Sequence, residues 1–441
     1  MKLIHYTVYG KRRGQEYMYN VNKIKSLINS DIVTNVNIKQ GDVRMSQLLN
    51  MPLSQLFKKP TMNMRTGSKL TGKRQDTKLK IALSLDIGSC NTKMLIGRHK
   101  ADTLLVEQAL ITRTPKNACV DGAITDIESL EPILKSLIAQ DRTMTKDLIF
   151  TIESTKIIKR EFIIPQIPEE DILGLVTYEM EQYLPIDISE YTIQPKIIGN
   201  VMDGGAESTK VLVSAVPKNI IQTYQKLFTA AGLRPVAMNI NSNSIEKLIQ
   251  FDIMHNPASE YIDKNVVFID MGHSCFNVSV YENGKFQFSR AVEIGGQMLD
   301  TMIAELLQMD VEKAQSVKKD VFSQLSVMEL NNKYGHLPSG YQPQSIYETA
   351  LIELVAIINH WTKQIYNVLQ YMTRSRERNI DKIYIYGGSS LINGFSGFLE
   401  KELAIKTANI SSLNSCEYAP GVDARNLITT HGNALGAILR L

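Results

Sequence analysis

The chain has 441 residues, of which 44% are hydrophobic and 21% charged, so it can form two or more domains of ordinary globular composition. It contains no run of about 18 apolar residues, which excludes a transmembrane helix. Its four cysteines are scattered and lack the spacing of metal ligands, which excludes a cysteine-based metal site and favours a reducing, cytoplasmic location.

The net charge of +4 is unevenly distributed along the chain. Residues 1–80 carry 16 basic and four acidic side chains, so the remainder is acidic. Such a basic segment is typical of a solvated linker, or of a surface that meets an anionic membrane or an acidic partner. We expect no nucleic acid partner, because no motif of aromatic and basic residues accompanies the charge.

The N-terminal segment predicts a small αβ module over residues 1–44. Its pattern indicates strands at 3–9, 15–19 and 32–39, a turn at 11–14 and a helix at 21–29. Residues 45–57 are amphipathic, although Pro52 interrupts a continuous helix. Residues 58–80 contain eight basic side chains and one acid, so we interpret 45–78 as an amphipathic segment followed by a flexible linker.

Two strands that each end in an aspartate and a glycine turn carry the strongest functional signal. The apolar run 81–85 precedes Asp86, Gly88, Ser89, Cys90, Asn91, Thr92 and Lys93, and the run 266–269 precedes Asp270, Gly272, His273 and Ser274. In such a turn the backbone amides are free to bind phosphates, and the carboxylate can hold a hydrated divalent cation. One such turn alone usually only ends a strand, but two of them predict related halves that enclose one nucleotide.

A third motif follows a predicted strand at 382–386. Gly387, Gly388 and Ser389 come directly after it, and paired glycines let a flat ring or a ribose approach the backbone closely. The three motifs, in this order, resemble the phosphate and adenosine motifs of the actin-like ATPase superfamily.

The segment 156–233 indicates which family within this superfamily the chain resembles. It predicts a strand at 156–164, a helix at 169–183, strands at 191–198 and 210–216, and a helix at 218–231. Its Pro168-Glu169-Glu170 start, its Glu179-Met-Glu181-Gln-Tyr-Leu-Pro185 helix end and its Ala230-Ala-Gly-Leu-Arg-Pro-Val236 turn resemble the PilM family of type IV pilus assembly proteins. The resemblance covers residues 80–441 in order.

The PilM resemblance implies an α/β, actin-like fold with two RNase-H-like halves around a nucleotide cleft. It places the first half at 79–155 and 234–262, an inserted αβ subdomain of the FtsA and PilM type at 156–233, and the second half at 263–441. The small residues at 431–436 resemble the hinge helix that ends the second half.

The resemblance also implies roles for individual residues. Asp86 and Asp270 would hold Mg²⁺, while Lys93 and the two glycine turns would contact the phosphates of ATP. The ribose and base would meet the remaining predicted cofactor-binding residues, namely Gly295, Gly296, Gln315, Lys318, Gly387, Gly388 and Ser389. Gln315 stands where the family usually has an acid. Asn241 stands where relatives have a water-orienting Glu-Pro, so we expect ATP binding with slow or negligible hydrolysis.

The function implied is that of an ATP-binding cytoplasmic scaffold at the inner face of the cell membrane. Its expected partners are the cytoplasmic tail of a PilN-like bitopic membrane protein and other inner-membrane proteins of pilus assembly. The tail is expected between the inserted subdomain and the first half, near 156–164 and 179–185, where Glu179 and Glu181 would meet basic residues. An anionic membrane surface is a further candidate partner for the basic N-terminal segment.

Two alternative functions use the same superfold. An FtsA-like division protein is expected to end in a linker and an amphipathic helix, whereas this sequence stops after the hinge helix. A small-molecule kinase needs a catalytic acid and a substrate pocket at the cleft, and the sequence shows no motif for them. A pilus operon as gene neighbourhood would distinguish the assembly function from the division function.

Overall fold

The structure is a computed structural model that describes residues 7–12, 15–20, 81–100, 103–140, 145–184, 186–376, 379–410, 413 and 416–439. The chain divides into two units, residues 1–62 and 63–441. In the first unit, β1 (Thr7–Arg12) and β2 (Gln15–Asn20) form an antiparallel pair with Arg12 opposite Gln15. The turn predicted at 11–14 was therefore wrong at its start, because Lys11 and Arg12 belong to β1. The helix, strand and linker predicted within 21–80 lie outside the described residues.

The first half of the larger unit is built on a six-stranded sheet. Its first five strands along the chain are β3 (Ile81–Ile87), β4 (Asn91–Lys100), β5 (Thr103–Arg113), β8 (Asp147–Ile152) and β12 (Arg234–Ile240). Strands β3, β4 and β5 are antiparallel neighbours, β8 lies parallel to β3, and β12 lies parallel to β8. Between β5 and β8 come the short hairpin β6 (Cys119–Val120) and β7 (Ala123–Ile124) and the helix α1 (Ile127–Ala139).

The second half repeats this connectivity in a five-stranded sheet. Its strands are β13 (Asn265–Met271), β14 (Phe276–Glu282), β15 (Lys285–Val292), β16 (Lys382–Tyr386) and β17 (Thr407–Asn409), in the order β15-β14-β13-β16-β17. Strands β13 to β15 are antiparallel, and β16 is parallel to β13. Asp86 and Asp270 are therefore equivalent, since each is the penultimate residue of the first strand of its half.

Five helices cover the second sheet and its edge. They are α5 (Gly296–Leu307), α6 (Val311–Gln324), α7 (Val327–Tyr334), α8 (Ile346–Arg376) and α9 (Phe395–Leu403). The core forms around Trp361 of α8, whose ring packs edge-on against Phe276 and Phe395 with centroids 5.0 and 6.2 Å away. Among the described residues, no helix is both long enough and apolar enough to span a membrane.

The inserted segment has a small core of its own. Strands β9 (Ile158–Pro165), β10 (Tyr191–Asp203) and β11 (Ala206–Pro217) form a sheet in the order β10-β11-β9, and α2 (Glu169–Tyr183) covers it. Helix α2 has the bounds that the sequence predicts, with Pro168 before it and acids in its first turn, where the positive end of the helix dipole favours negative charge. Val176 and Met180 of α2 pack against Val211 and Val213 of β11.

The last helix of the predicted insertion packs elsewhere. Helix α3 (Lys218–Ala230) presents Tyr224 and Phe228 to Phe150 of β8, with ring centroids 5.2 and 5.0 Å from it. These rings belong to the core of the first half. The separate core of the insertion is therefore shorter than the 156–233 expected, because α3 covers the first sheet.

The end of the chain returns to the first half. Strand β18 (Cys416–Tyr418) runs parallel to β5, and α10 (Leu427–Ile438) packs on α4 (Asn241–His255) and on β3. The hydroxyl of Ser84 donates to the carbonyl oxygen of Ala434 at 2.8 Å. The C-terminal part of the predicted second half, 263–441, thus joins the two halves.

Candidate functional site

The two glycine turns meet at the centre of the larger unit. The amide of Gly88 donates to the carbonyl oxygen of Asn91 at 3.0 Å, and the amide of Gly272 donates to that of Cys275 at 3.2 Å, so both turns close in the same way. The hydroxyl of Ser89 donates to that of Ser274 at 3.1 Å. The structure therefore brings the two predicted motifs into direct contact.

A cavity of about 580 Å³ opens between the halves at this contact. Its volume lies within the range of small-molecule and cofactor sites. The predicted residues that line it are Asp86, Gly88, Ser89, Cys90, Asn91, Lys93, Asn241, Asp270, Gly272, His273, Ser274, Gly296, Gln315, Lys318, Gly387, Gly388 and Ser389. Three motifs that lie within a span of about 300 residues of sequence thus surround one space.

Thr92 and Gly295 do not line the cavity. The side chain of Thr92 is buried, and its hydroxyl lies 2.9 Å from the hydroxyl of Thr114. Gly295 lies behind the second turn, where an added Cβ would approach the carbonyl oxygen of His273 to 2.2 Å. We attribute both residues to packing beneath the cavity wall.

The two aspartates are buried at the floor of the cavity. Asp86 forms an ion pair with Lys93 (Nζ to Oδ2, 2.9 Å), which faces it across the strand pair β3–β4. Burial by itself lowers the pKa of Lys93, but the carboxylates of Asp86 and Asp270 outweigh this effect and raise it. Lys93 therefore remains charged between the two halves.

Asp270 is held by amides rather than by a cation. Its Oδ2 accepts a hydrogen bond from the side-chain amide of Asn433 at 2.9 Å and a longer one from that of Asn241 at 3.4 Å. Burial raises the pKa of Asp270 to about 6, although the charge of Lys93 opposes this shift. The carboxylate is thus ionised at neutral pH but remains short of positive charge, as is expected of a site that takes up a cation.

Glycine at 387 is required by the shape of the site. Its φ of +88° lies in the left-handed region, and an added Cβ would lie 2.6 Å from Oδ1 of Asp270. An added Cβ on Gly388, by contrast, would enter open space. The first glycine lets the chain pass close to Asp270, and the second leaves room in the cavity.

Sequence reasoning missed three acids that line the cavity, Asp121, Glu153 and Asp300. Asp300 on α5 is buried and forms an ion pair with Lys318 (Nζ to Oδ1, 2.5 Å). It lies four residues after Gly296, hence on the same helix face, which was the signal available in the sequence. Arg113 at the end of β5, which donates to Cys90 Sγ at 2.7 Å, and Asn433 were missed as well.

Glu153 links the cavity to the inserted subdomain. It follows β8, whose carboxyl end lies at the same sheet edge as that of the parallel strand β3, which carries Asp86. Its carboxylate pairs with Lys159 of β9 at 3.1 Å, and Lys159 also donates to Ser289 of β15 at 3.0 Å. One lysine of the insertion therefore contacts the cavity wall and the second half.

The cavity fits a polar ligand with hydroxyl groups. Gln315 Oε1 and Asn241 Oδ1 are buried against it without a hydrogen-bond partner, a condition that costs free energy unless a ligand or water supplies a donor. The described residues contain no cluster of three or more His, Cys, Asp or Glu side chains that would hold a metal unaided. One or two carboxylates suffice for Mg²⁺ when phosphates and water complete its shell, so Asp86 and Asp270 fit a metal that arrives with a nucleotide.

Known proteins match this chain in structure or in sequence. The solved PilM-PilN type IV pilus biogenesis complex matches with a TM-score of 0.67 at 18% identity, covering 81% of this chain and 97% of that one. The ethanolamine utilization protein EutJ of Carboxydothermus hydrogenoformans matches with a TM-score of 0.45 at 13% identity, covering 80% and 89% of the two chains. Cell division protein FtsA of Bacillus subtilis (strain 168) is 23% identical over 270 residues, which are 54% of this chain and 57% of that relative's length.

A family model described as type IV pilus assembly protein PilM matches residues 84–439, which is most of the chain and nearly all of the larger unit. This match includes both glycine turns, the inserted subdomain and the C-terminal helix. The chain therefore belongs to the PilM family of type IV pilus assembly proteins and has its actin-like fold.

Proposed function

We propose that this protein binds Mg²⁺-ATP between its halves and serves, at the cytoplasmic face of the cell membrane, as a scaffold of the type IV pilus assembly machine. The observation that carries the proposal is the contact of two equivalent turns across one cavity, with a buried aspartate at the base of each. Family membership supports the role in pilus assembly.

Each half contributes a matching set of groups. Asp86 and Asp270 would hold the metal, and the amides of both turns together with Lys93 would hold the phosphates. The unpaired Oε1 of Gln315 would accept a hydrogen bond from a ribose hydroxyl, a role that an amide can fill in place of an acid. Bound ATP would supply negative charge and Mg²⁺ positive charge, and both halves would contact these charges.

Hydrolysis in this site is expected to be slow. Asn241 cannot accept a proton at neutral pH, and Glu153 is neutralised by Lys159. The unpaired Oδ1 of Asn241 can still orient a water molecule. In a single-turnover assay with excess protein, we expect most of the ATP to remain intact over many minutes. Rapid cleavage that is lost in Asn241→Ala would contradict this expectation.

The partner we propose is the basic cytoplasmic tail of a PilN-like membrane protein, because the similar solved structure is that of a PilM-PilN complex. In this chain α2 exposes apolar side chains, among them Tyr178 and Tyr183, beside the acids Glu179 and Glu181. Burial raises the pKa of Glu179, as expected of an acid that lacks a cation. A basic peptide with apolar anchors would complement this surface.

We expect the double variant Glu179→Lys, Glu181→Lys to bind a fluorescent PilN-like tail peptide about ten times more weakly than the native protein, since it turns two attractions into repulsions. Fluorescence anisotropy measures the affinity. Glu305→Lys, an exposed charge reversal on α5 in the second half, is the matched control and should bind normally. Equal affinity of the double variant and the control would exclude this surface as the tail site.

A further inference from the structure

We propose that His273 binds the nucleotide phosphates through its side chain and takes up a proton as it does so, with Asp300 as its positioning residue. This inference rests on the proposed nucleotide site and assigns a role to a side chain that the sequence suggested only as a backbone donor.

The geometry places one buried carboxylate between two cavity side chains. Asp300 is 1% exposed, and its Oδ1 lies 2.5 Å from Lys318 Nζ, while its Oδ2 lies 3.7 Å from Nδ1 of His273. His273, Lys318 and Asp300 all line the cavity. His273 belongs to the second turn, next to Ser274, which contacts the first turn across the cleft. The imidazole therefore lies where the predicted phosphate turns meet, with Nδ1 3.7 Å from an oxygen of a buried carboxylate.

The charged groups around His273 come from three elements. Asp300 of α5 favours the imidazolium, while Lys318 of α6 and Arg113 at the end of β5 oppose it. Burial is the largest influence, and together these effects lower the pKa of His273 below its ordinary value. The imidazole is therefore mainly neutral at pH 7 in the ligand-free protein.

Nucleotide phosphates would reverse this balance. Their negative charge offsets the repulsion from Lys318 and Arg113, and an imidazolium donates a stronger hydrogen bond to phosphate than a neutral ring does. A proton passes from the acid form of the buffer to the free ring nitrogen, where a new N–H bond forms. The negative charge of Asp300, 3.7 Å from the other ring nitrogen, favours the protonated ring, and Lys318 forms an ion pair with Asp300. Nucleotide binding then consumes a proton, and the affinity rises as the pH falls from 8 towards 7.

The test is calorimetric titration of Mg²⁺-ATP into the full-length protein at pH 7 in two buffers with different ionisation enthalpies. The difference between the two heats gives the number of protons taken up. We expect the native protein to take up a substantial fraction of one proton, and His273→Gln to bind about tenfold more weakly without this uptake. Asp300→Asn should reduce the uptake, because the ring loses the nearby negative charge that favours its protonated form.

Two further variants distinguish the effect of a positive charge on the His273 side chain from a structural effect of substituting a histidine. His273→Arg carries a permanent charge, so it should recover the affinity lost in His273→Gln but show no proton uptake. His255→Gln alters a histidine of α4 that is bonded to the Phe251 carbonyl oxygen, and it should retain the native uptake. Binding with equal heats in both buffers, or unchanged uptake in His273→Gln, would overturn the inference while leaving the nucleotide site intact. Absence of any binding in the native protein would instead refute the nucleotide site itself.

Discussion

Asp270→Asn should raise the melting temperature of the ligand-free protein at pH 8. Burial raises the pKa of Asp270 to about 6, against 3.8 for an ordinary aspartate. Because the pKa is higher in the folded state, the protein loses stability as the pH rises from about 4 to 6, and the loss persists above pH 6. At about 1.4 kcal/mol per pKa unit, the charged carboxylate costs about 3 kcal/mol.

The expected gain in the free energy of unfolding is smaller than the cost of the charged carboxylate. The neutral amide gives up the charge-assisted hydrogen bond from Asn433 at 2.9 Å, which is worth about 1.5 kcal/mol, whereas the contact from Asn241 at 3.4 Å is too long to add much. We therefore expect a net stabilisation of about 1–2 kcal/mol at pH 8, which shrinks as the pH falls through 6. Circular dichroism melting curves at pH 5, 6 and 8 would measure it.

Asp86→Asn is the matched control for this prediction. It occupies the equivalent position of the first half, but its carboxylate neutralises Lys93 at 2.9 Å. Its removal leaves a buried cation with one neighbour fewer, so we expect destabilisation of about 1–3 kcal/mol at pH 8. If Asp270→Asn stabilises the protein and Asp86→Asn destabilises it, general disruption of the fold does not explain both results. If both substitutions lower the melting temperature, the ionised Asp270 stabilises the ligand-free fold and the predicted gain is wrong.

Gly436→Ala should have the largest effect on stability. Gly436 lies on α10 against α4, where an added Cβ would approach the backbone oxygen of Ser244 to 2.0 Å and its carbonyl carbon to 2.5 Å. Backbone atoms of a packed helix cannot rotate away, so the helices must separate. Overpacking of this kind costs about 1–3 kcal/mol or more, beyond the gain of about 1 kcal/mol from the helix propensity of alanine.

Gly397→Ala tests the same substitution in a helix with free space around it. An added Cβ on Gly397 of α9 meets no atom within 4 Å, so only the gain in helix propensity remains. We expect Gly397→Ala to melt at or slightly above the native temperature and Gly436→Ala to melt several degrees below it. If the two variants melted together, close packing of α10 on α4 would be wrong.

Gly436→Ala should also disturb the site. Asn433 lies nearly one turn earlier on α10 and donates to Asp270 at 2.9 Å, while its own Oδ1 accepts from Tyr386 at 3.1 Å. A shift of α10 away from α4 would move this amide. The helix that joins the two halves therefore also orients one of the two aspartates.

The elements that sequence reasoning located well are those with local signals. The turns after Asp86 and Asp270 each follow an apolar run and contain glycine, and the helix from Glu169 to Tyr183 has a proline and acids at its start. The pairing of related halves followed from the repetition of one local pattern. Each of these signals is contained within about fifteen residues.

The features that were missed depend on contacts between distant segments. Helix α3 follows β11 in sequence, yet Tyr224 and Phe228 pack on Phe150, some 75 residues earlier. The short pattern of β18 gives no indication that it would pair with β5 of the first half. Amphipathicity shows that a helix covers a sheet but does not identify which sheet.

The same limitation applies to the side chains of the site. Asn433 donates to Asp270 across 163 positions of sequence, and Lys159 reaches Ser289 across 130. Such pairs carry no sequence pattern, because either residue alone is an ordinary surface type. The sequence could have indicated Asp300 and Glu153. Helix periodicity places Asp300 on the face of Gly296, and the common edge of parallel strands places Glu153 at the same sheet edge as Asp86.

We propose that the two halves bind one Mg²⁺-ATP between Asp86 and Asp270. Calorimetric titration of ATP into the full-length protein, with and without Mg²⁺, measures this directly. We predict one site per chain, with the affinity reduced at least tenfold by removal of Mg²⁺ or by Asp270→Asn, and unchanged by Glu260→Gln, a half-exposed acid that pairs with Lys382. No heat and no thermal stabilisation at millimolar Mg²⁺-ATP, or native affinity in Asp270→Asn, would contradict a nucleotide site between the two aspartates.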